Sequence, residues 1–132
     1  MPARILIVED EMLVALELES ILEDLGHEPV GIVPDLEAAE SYFEEAIDLA
    51  LVDLNLRDGL TGPQIGARLG ANGTTVVFIT ATPGLLEEGI AGAIGVITKP
   101  TDEATVRAAV DYAIGVRTGR TVRPPAALRL FA

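Results

Sequence analysis

The sequence contains no cysteine and a single histidine, His27. The absence of cysteine excludes disulfides, thiolate zinc sites and thiol nucleophiles, and one histidine is too few for a histidine-rich metal site. No apolar run approaches the roughly 20 residues that a membrane span requires, and the N-terminus has no secretory signal pattern. We therefore expect a soluble, cytoplasmic protein with no membrane partner.

Basic residues are also few. The 132-residue chain has nine Lys and Arg against 21 Asp and Glu, a net charge of −12, which disfavours direct binding of nucleic acid. The acidic excess lies in the first 60 residues, which hold 16 acids and two arginines. Most of these acids are expected on solvated helix faces, but a few of them follow apolar runs and do not fit that interpretation.

The chain length fits one domain, which we assign to residues 1–117, followed by a tail at residues 118–132. Short apolar runs alternate with longer amphipathic stretches. The runs predict strands at 4–8, 28–33, 47–52, 74–79 and 94–98, and the stretches predict helices at 12–26, 35–45, 63–69, 83–91 and 102–116. This alternation predicts an α/β fold, a doubly wound, mostly parallel sheet of five strands flanked by five helices.

Four of the five predicted strands end in a polar or charged residue. These residues are Glu9 with Asp10, then Asp53, Thr80 and Lys99. Each alone has an ordinary structural explanation, such as a helix cap or a turn. Ligands of open α/β sheets bind outside the carboxyl ends of the strands, so we expect these side chains to converge on one site.

The chemistry of this set indicates a metal and a phosphoryl group. Two carboxylates ~5 Å apart repel by roughly 3 kcal/mol at an effective dielectric of ~20, so three of them require a cation. Carboxylate oxygens without histidine or cysteine suit Mg²⁺, which in turn binds phosphate oxygens. Thr80 and Lys99 supply a hydroxyl and an ammonium for the phosphoryl group, and one carboxylate is the expected nucleophile.

The motifs at these strand ends resemble the receiver domain of two-component response regulators. The matching stretches are Ile-Leu-Ile-Val-Glu9-Asp10, Ala-Leu-Val-Asp53-Leu-Asn55-Leu, Val-Phe-Ile-Thr80-Ala81-Thr82 and Gly-Val-Ile-Thr-Lys99-Pro100. The resemblance covers residues 3 to about 117. It implies a flavodoxin-like strand order of 2-1-3-4-5, which the chemotaxis receiver is known to have.

The resemblance also implies a role for each residue. Asp53 is the expected phosphoacceptor, with a sensor histidine kinase, a phosphotransfer protein or acetyl phosphate as donor. Glu9, Asp10 and Asp53 are expected to hold Mg²⁺, with the backbone carbonyl of Asn55 completing the set. Thr80 corresponds to the switch hydroxyl and Lys99 to the phosphate-pairing lysine, and the Lys99-Pro100 bond is expected to be cis. The chain is then a phosphoacceptor signalling domain that switches the binding of an unknown downstream protein, and not an enzyme.

Three positions depart from the family's pattern. Glu9 stands where many members have Asp, and Thr101 stands where Phe often follows Lys-Pro. Val96 occupies the position, three before the lysine, that usually carries Tyr or Phe. Because that aromatic ring normally moves inward with the threonine, we expect the signal to pass through Thr80 and residues 81–92 instead.

Two surfaces have alternative interpretations. Met12, Leu13 and Leu16 begin the first helix and are either core residues or, by resemblance, a docking patch for the kinase. The tail is either a frayed terminus or a segment that packs on the domain or a partner, since Leu128, Leu130 and Phe131 are apolar. Fifteen residues are too few for a DNA-binding output domain.

Four alternatives differ from a single-domain receiver, and the motifs disfavour two of them. The chain is alternatively a receiver excised from a longer regulator, or an unphosphorylated pseudo-receiver that serves as an interaction module. A phosphohydrolase of the haloacid dehalogenase type would carry Asp-x-Asp on its first strand, whereas here the acidic pair comes first and Leu54-Asn55 follows the acceptor. A flavodoxin-like nucleotide-binding protein would need a glycine- or hydroxyl-rich phosphate loop where Glu9-Asp10-Glu11 stands.

Overall fold

A computed structural model describes residues 2–131 of the chain. The helices are α1 (Met12–Asp24), α2 (Leu36–Glu40), α3 (Gly62–Ala71) and α4 (Glu103–Arg117). The strands are β1 (Arg4–Val8), β2 (Glu28–Val33), β3 (Leu49–Val52), β4 (Thr75–Thr80), β5 (Ala93–Thr98) and β6 (Leu128–Leu130). Among these residues, no helix has both the length and the apolar character needed to cross a membrane.

The strands form one sheet in the order β2-β1-β3-β4-β5-β6. All neighbouring pairs among the first five strands are parallel, and β6 pairs with β5 in the antiparallel direction. The predicted fold class and the order 2-1-3-4-5 are confirmed. The predicted count of five strands is wrong by one because the tail adds β6, which covers the edge of β5 that would otherwise be open to pairing.

Two apolar clusters lie on opposite faces of the sheet. On β1, Ile5 and Ile7 face α1 and α4, while Leu6 and Val8 face α2 and α3. All four side chains are fully buried. The uninterrupted apolar run of β1 follows from this burial on both faces, since successive strand residues point to opposite sides.

The predicted count of five helices is also wrong. Residues 83–91 were expected to form a helix, but only a 3-10 turn forms, at Pro83–Leu86. Glycines stand at positions 84 and 89 of this stretch, and Gly89 has a φ of +74°. Glycine costs about 1 kcal/mol relative to alanine inside a helix, and a positive φ ends one. The segment is therefore an irregular loop between β4 and β5.

Candidate functional site

The site residues lie together at the carboxyl edge of the sheet. Glu9 directly follows β1 and Asp53 directly follows β3, and the Asp53 amide donates to the Val8 carbonyl at 2.9 Å. One carboxylate oxygen from each of Glu9, Asp10 and Asp53 lies within 4.8 Å of the others. Parallel pairing of β1 and β3 brings these acids together from positions 44 residues apart.

The three carboxylates differ in their exposure to solvent. Glu9 and Asp53 are buried, with 3% and 7% of their surface exposed, whereas Asp10 is exposed. The amide of Glu11 donates to Glu9 Oε2 at 3.2 Å, and the amide of Leu54 donates to Asp53 Oδ1 at 2.7 Å. Each buried carboxylate thus accepts one backbone hydrogen bond, which fixes its orientation at the edge of the sheet.

Lys99 joins the two buried acids. Its Nζ donates to Glu9 Oε1 at 2.7 Å and to Asp53 Oδ2 at 2.8 Å, and it lies 3.7 Å from Glu11 Oε1. Lys99 is the only lysine in the sequence. Its ammonium offsets the repulsion among the carboxylates, so the cluster is compatible with a stable fold without a metal.

Burial and ion pairing shift two pKa values in this cluster. Burial raises the pKa of Glu9 above its ordinary value, although the hydrogen bond from Lys99 opposes this. Burial alone would lower the pKa of Lys99, but its hydrogen bonds to Asp53 and Glu9 raise that pKa overall. Lys99 therefore stays charged at neutral pH.

Thr80 ends β4 and is completely buried. Its Oγ1 accepts from the amide of Thr82 at 3.1 Å and lies 3.2 Å from Thr82 Oγ1. The Thr80 carbonyl accepts from the amide of Lys99 at 2.8 Å. Asn55 is exposed, and its side-chain amide donates to Thr82 Oγ1 at 3.3 Å. The hydroxyls at positions 80 and 82 thus connect β4 to the loop after β3.

An open cleft of about 300 Å³ gives access to this group. Its lining includes Asp10, Asp53, Asn55 and Lys99. Glu9 lies beneath this surface because its carboxylate is buried. The donor set fits Mg²⁺, since three carboxylates from β1 and β3 leave one side of the cluster open to water and to a phosphoryl group.

Two features that hold the loop after β3 are not predicted from the sequence. Arg57 pairs with Asp35, its Nη2 lying 2.5 Å from Asp35 Oδ2, and Asp35 is also the N-cap of α2. Gly62 begins α3 so close to the backbone of Asp53 that a Cβ there would collide with the Asp53 carbonyl oxygen. Pro63 indicates the first turn of a helix, but neither the Arg57 pair nor the close approach of Gly62 to Asp53 has a local sequence signal, because both depend on tertiary packing.

The structure shows what surrounds the three positions that depart from the expected pattern. The Glu9 carboxylate contacts the ammonium of Lys99. Val96 is 1% exposed and packs in the apolar cluster that faces α2 and α3. Thr101 Oγ1 is buried with no hydrogen-bond partner among the described residues. The Lys99-Pro100 bond is cis.

Met12 and Leu13 are not core residues. They are 58% and 84% exposed, and Leu16 on the same helix is 47% exposed. The alternative in which some or all of the three belong to the core is therefore wrong, and α1 presents an apolar patch beside Asp10 and Glu11. We call Met12, Leu13 and Leu16 the α1 patch.

Comparison with known proteins identifies the relatives of this chain. Residues 5–111 match the family model of the response regulator receiver domain. The Phyllosphere-induced regulator PhyR of Methylorubrum extorquens is 34% identical over 121 residues, a match that covers 86% of this chain but only 44% of that protein.

Solved structures agree with the sequence matches. The PhyR receiver domain of Erythrobacter litoralis superposes with a TM-score of 0.78 at 31% identity, covering 92% of this chain and 97% of that one. The anti-anti-sigma factor PhyR of Bartonella quintana gives a TM-score of 0.75 at 29% identity, covering 89% of this chain and 49% of that one. The chain thus spans about half of the longer PhyR proteins it matches.

Proposed function

Because the chain belongs to the response regulator receiver family, we propose that it accepts a phosphoryl group on Asp53 from a sensor histidine kinase or a phosphotransfer protein. Receiver domains are signalling domains, and the change at Asp53 switches the binding of a downstream protein. We assign the receiver to residues 1–117, treat residues 118–132 as an appended tail, and place the protein in the cytoplasm. The observation that supports this function best is the convergence of Glu9, Asp10 and Asp53 within 4.8 Å.

In this proposal Glu9, Asp10, Asp53 and the backbone carbonyl of Asn55 hold Mg²⁺. When bound there, the metal neutralises the carboxylates and the oxygens of the incoming phosphoryl group. Asp10 is the exposed member of the set and is open to direct ligation from the cleft. Glu9 is engaged by Lys99 and by the Glu11 amide, which favours a contact with the metal through water.

Asp53, Lys99 and Thr80 have separate roles in the proposed transfer. A carboxylate oxygen of Asp53 attacks phosphorus, a phosphorus–oxygen bond forms, and the phosphorus–nitrogen bond to the donor imidazole breaks with its electron pair leaving on nitrogen. The Lys99 ammonium, 2.8 Å from Asp53 Oδ2, is positioned to pair with the transferred group. The Thr80 hydroxyl donates to a second phosphoryl oxygen.

The α1 patch is the proposed docking site for the donor. It is apolar, exposed and adjacent to the cleft, so a helical partner bound there would bring its phosphohistidine towards Asp53. Such positioning converts the transfer into an effectively intramolecular step. The downstream partner is proposed to be a protein, since one similar chain is the anti-anti-sigma factor PhyR.

Labelling with radioactive acetyl phosphate tests the assignment. The wild-type chain should incorporate phosphate in the presence of Mg²⁺ and should incorporate none when EDTA is present from the start. Asp53→Asn should incorporate none, whereas the matched variant Asp111→Asn, at an exposed position on α4, should label like wild type. Equal labelling of Asp53→Asn would refute the acceptor assignment. A wild-type chain that takes no label from acetyl phosphate or any histidine kinase would instead favour an unphosphorylated interaction module.

A further inference from the structure

The tail strand β6 lies against the segment where a signal from Asp53 would emerge. β6 pairs with the edge of β5 over Leu128, Arg129 and Leu130, and the Phe131 amide extends the ladder by donating to the Ile94 carbonyl at 3.0 Å. Val96, which stands in place of the usual aromatic residue, lies opposite Arg129 in this register.

The side chains of β6 face two directions. Leu128 is buried in the cluster beneath α1 and α4, whereas Phe131 packs with the opposite cluster. The ring centroid of Phe131 lies 6.5 Å from that of Phe78, and a Cβ on Gly89 would lie 3.1 Å from Phe131 Cγ. Leu86, Ile90 and Val96 belong to the same cluster. The tail therefore supplies an aromatic ring to the face on which β5 itself has none.

A chain of contacts connects this tail to Thr80. The Thr80 hydroxyl accepts from the Thr82 amide at 3.1 Å, and Pro83 follows directly. The Pro83 carbonyl accepts from Arg129 Nη2 at 3.2 Å. Rotation of Thr80 towards a phosphoryl group on Asp53 would remove the acceptor of the Thr82 amide, one residue before the Pro83 carbonyl that accepts from Arg129.

We propose that the β5 edge and residues 83–90 form an output surface that the chain's own segment Leu128–Phe131 occupies at rest and leaves when Asp53 is phosphorylated. This proposal rests on the proposed function. Release breaks the pairing of three β6 residues and the bond of the Phe131 amide, and two of the β6 residues, Arg129 and Leu130, are already exposed. It also withdraws Leu128 and Phe131 from their two apolar clusters. Release uncovers a strand edge and an apolar surface at once, which suits pairing with an extended segment of a protein partner.

Amide hydrogen exchange of the full 132-residue chain tests the release. The wild-type protein is measured with Mg²⁺ alone and with Mg²⁺ and beryllofluoride, which imitates a phosphoryl group on aspartate. The Phe131 amide should exchange at least about tenfold faster with beryllofluoride, a change equivalent to 1.4 kcal/mol. The Ile7 amide, in the central strand β1, should keep its protection. Suppose that the Asp53 and Thr80 signals respond to beryllofluoride but the protection of the Phe131 amide stays the same or increases. That result would overturn the release and leave the proposed function intact.

Two tail variants test the contact with Pro83 without any phosphoryl mimic. Arg129→Ala should accelerate exchange of the Phe131 amide and shift the signals of residues 81–92 at rest. Arg120→Ala is the matched control, because within residues 2–131 the Arg120 side chain donates only to Thr118 Oγ1, at 3.5 Å and inside the tail. Similar behaviour of the two variants would contradict the assigned contact. Absence of any beryllofluoride response at Asp53 would refute the proposed function itself, and with it the release.

Discussion

Replacing Lys99 by methionine is expected to destabilise the metal-free protein by about 3 kcal/mol. Methionine keeps the length and the apolar stem but removes the ammonium that lies 2.7 Å from Glu9 and 2.8 Å from Asp53. The side chains of Lys99, Glu9 and Asp53 are 15%, 3% and 9% exposed, so the two carboxylates would remain unpaired and largely buried. Breaking a buried ion pair costs about 3–5 kcal/mol, and the open cleft beside Asp53 favours the lower end of that range.

Urea unfolding in EDTA at pH 7 measures this loss, and the melting temperature should fall by about 10 °C. Arg107→Met is the matched control, since it also removes one positive charge but breaks surface pairs with Glu103 and Asp24. That variant should lose less than about 1 kcal/mol.

The pH dependence of the Lys99→Met variant gives a second check. Burial already raises the pKa of Glu9, and loss of Lys99 raises it further, so Glu9 takes up a proton in the folded variant well before it does in the unfolded chain. The difference in the free energy of unfolding between wild type and the variant should therefore become smaller as the pH falls from 7 to 5. A Lys99→Met loss no larger than that of Arg107→Met, or a deficit independent of pH, would refute the reasoning.

Three further outcomes follow from the site. Asp10→Asn should abolish Mg²⁺ binding in a calorimetric titration. It should also stabilise the metal-free fold by roughly 1 kcal/mol, because it removes the repulsion between Asp10 and the neighbouring carboxylates at ~5 Å in nearly aqueous surroundings. An unchanged affinity for Mg²⁺ would contradict the ligand assignment. The Nζ signal of Lys99, the only lysine, should titrate above the ordinary lysine pKa of 10.5 in metal-free solution. The Lys99 ammonium stabilises the fold fully below pH 10.5, and this contribution is lost as the pH rises through the raised pKa of the folded protein. A measured Lys99 pKa of 10.5 or lower would contradict the ion pairs. Leu13→Glu should slow phosphotransfer from a histidine kinase at least tenfold without changing labelling by acetyl phosphate or stability, since Leu13 is 84% exposed; equal slowing of both reactions would argue against docking.

Local sequence signals predicted most of the fold. The apolar run of β1 and the motif that ends in Glu9 and Asp10 depend on burial of one strand, and such signals need no knowledge of distant residues. The convergence of Asp53, Thr80 and Lys99 was also predictable, because parallel strands place their carboxyl ends together whichever loops connect them.

Two features of the fold were not predicted, one because of glycines within the segment and one because of a distant contact. Residues 83–91 contain apolar positions typical of a helix, yet the segment forms only a 3-10 turn at Pro83–Leu86, because Gly89 adopts a positive φ and packs against Phe131. β6 is three residues long, too short for a periodic pattern, and it forms because the β5 edge is available to it.

Paramagnetic relaxation by Mn²⁺, added in place of Mg²⁺, tests most directly whether Glu9, Asp10 and Asp53 form one metal site. At substoichiometric Mn²⁺ the amide signals of residues 9–11 and 53–55 should broaden first, and excess Mg²⁺ should restore them. Acids on the α1 and α2 surfaces, such as Glu19 and Glu37, should keep sharp signals at that ratio. Broadening spread evenly over the acidic surface, with the signals of Asp10 and Asp53 affected no more than the others, would contradict the account.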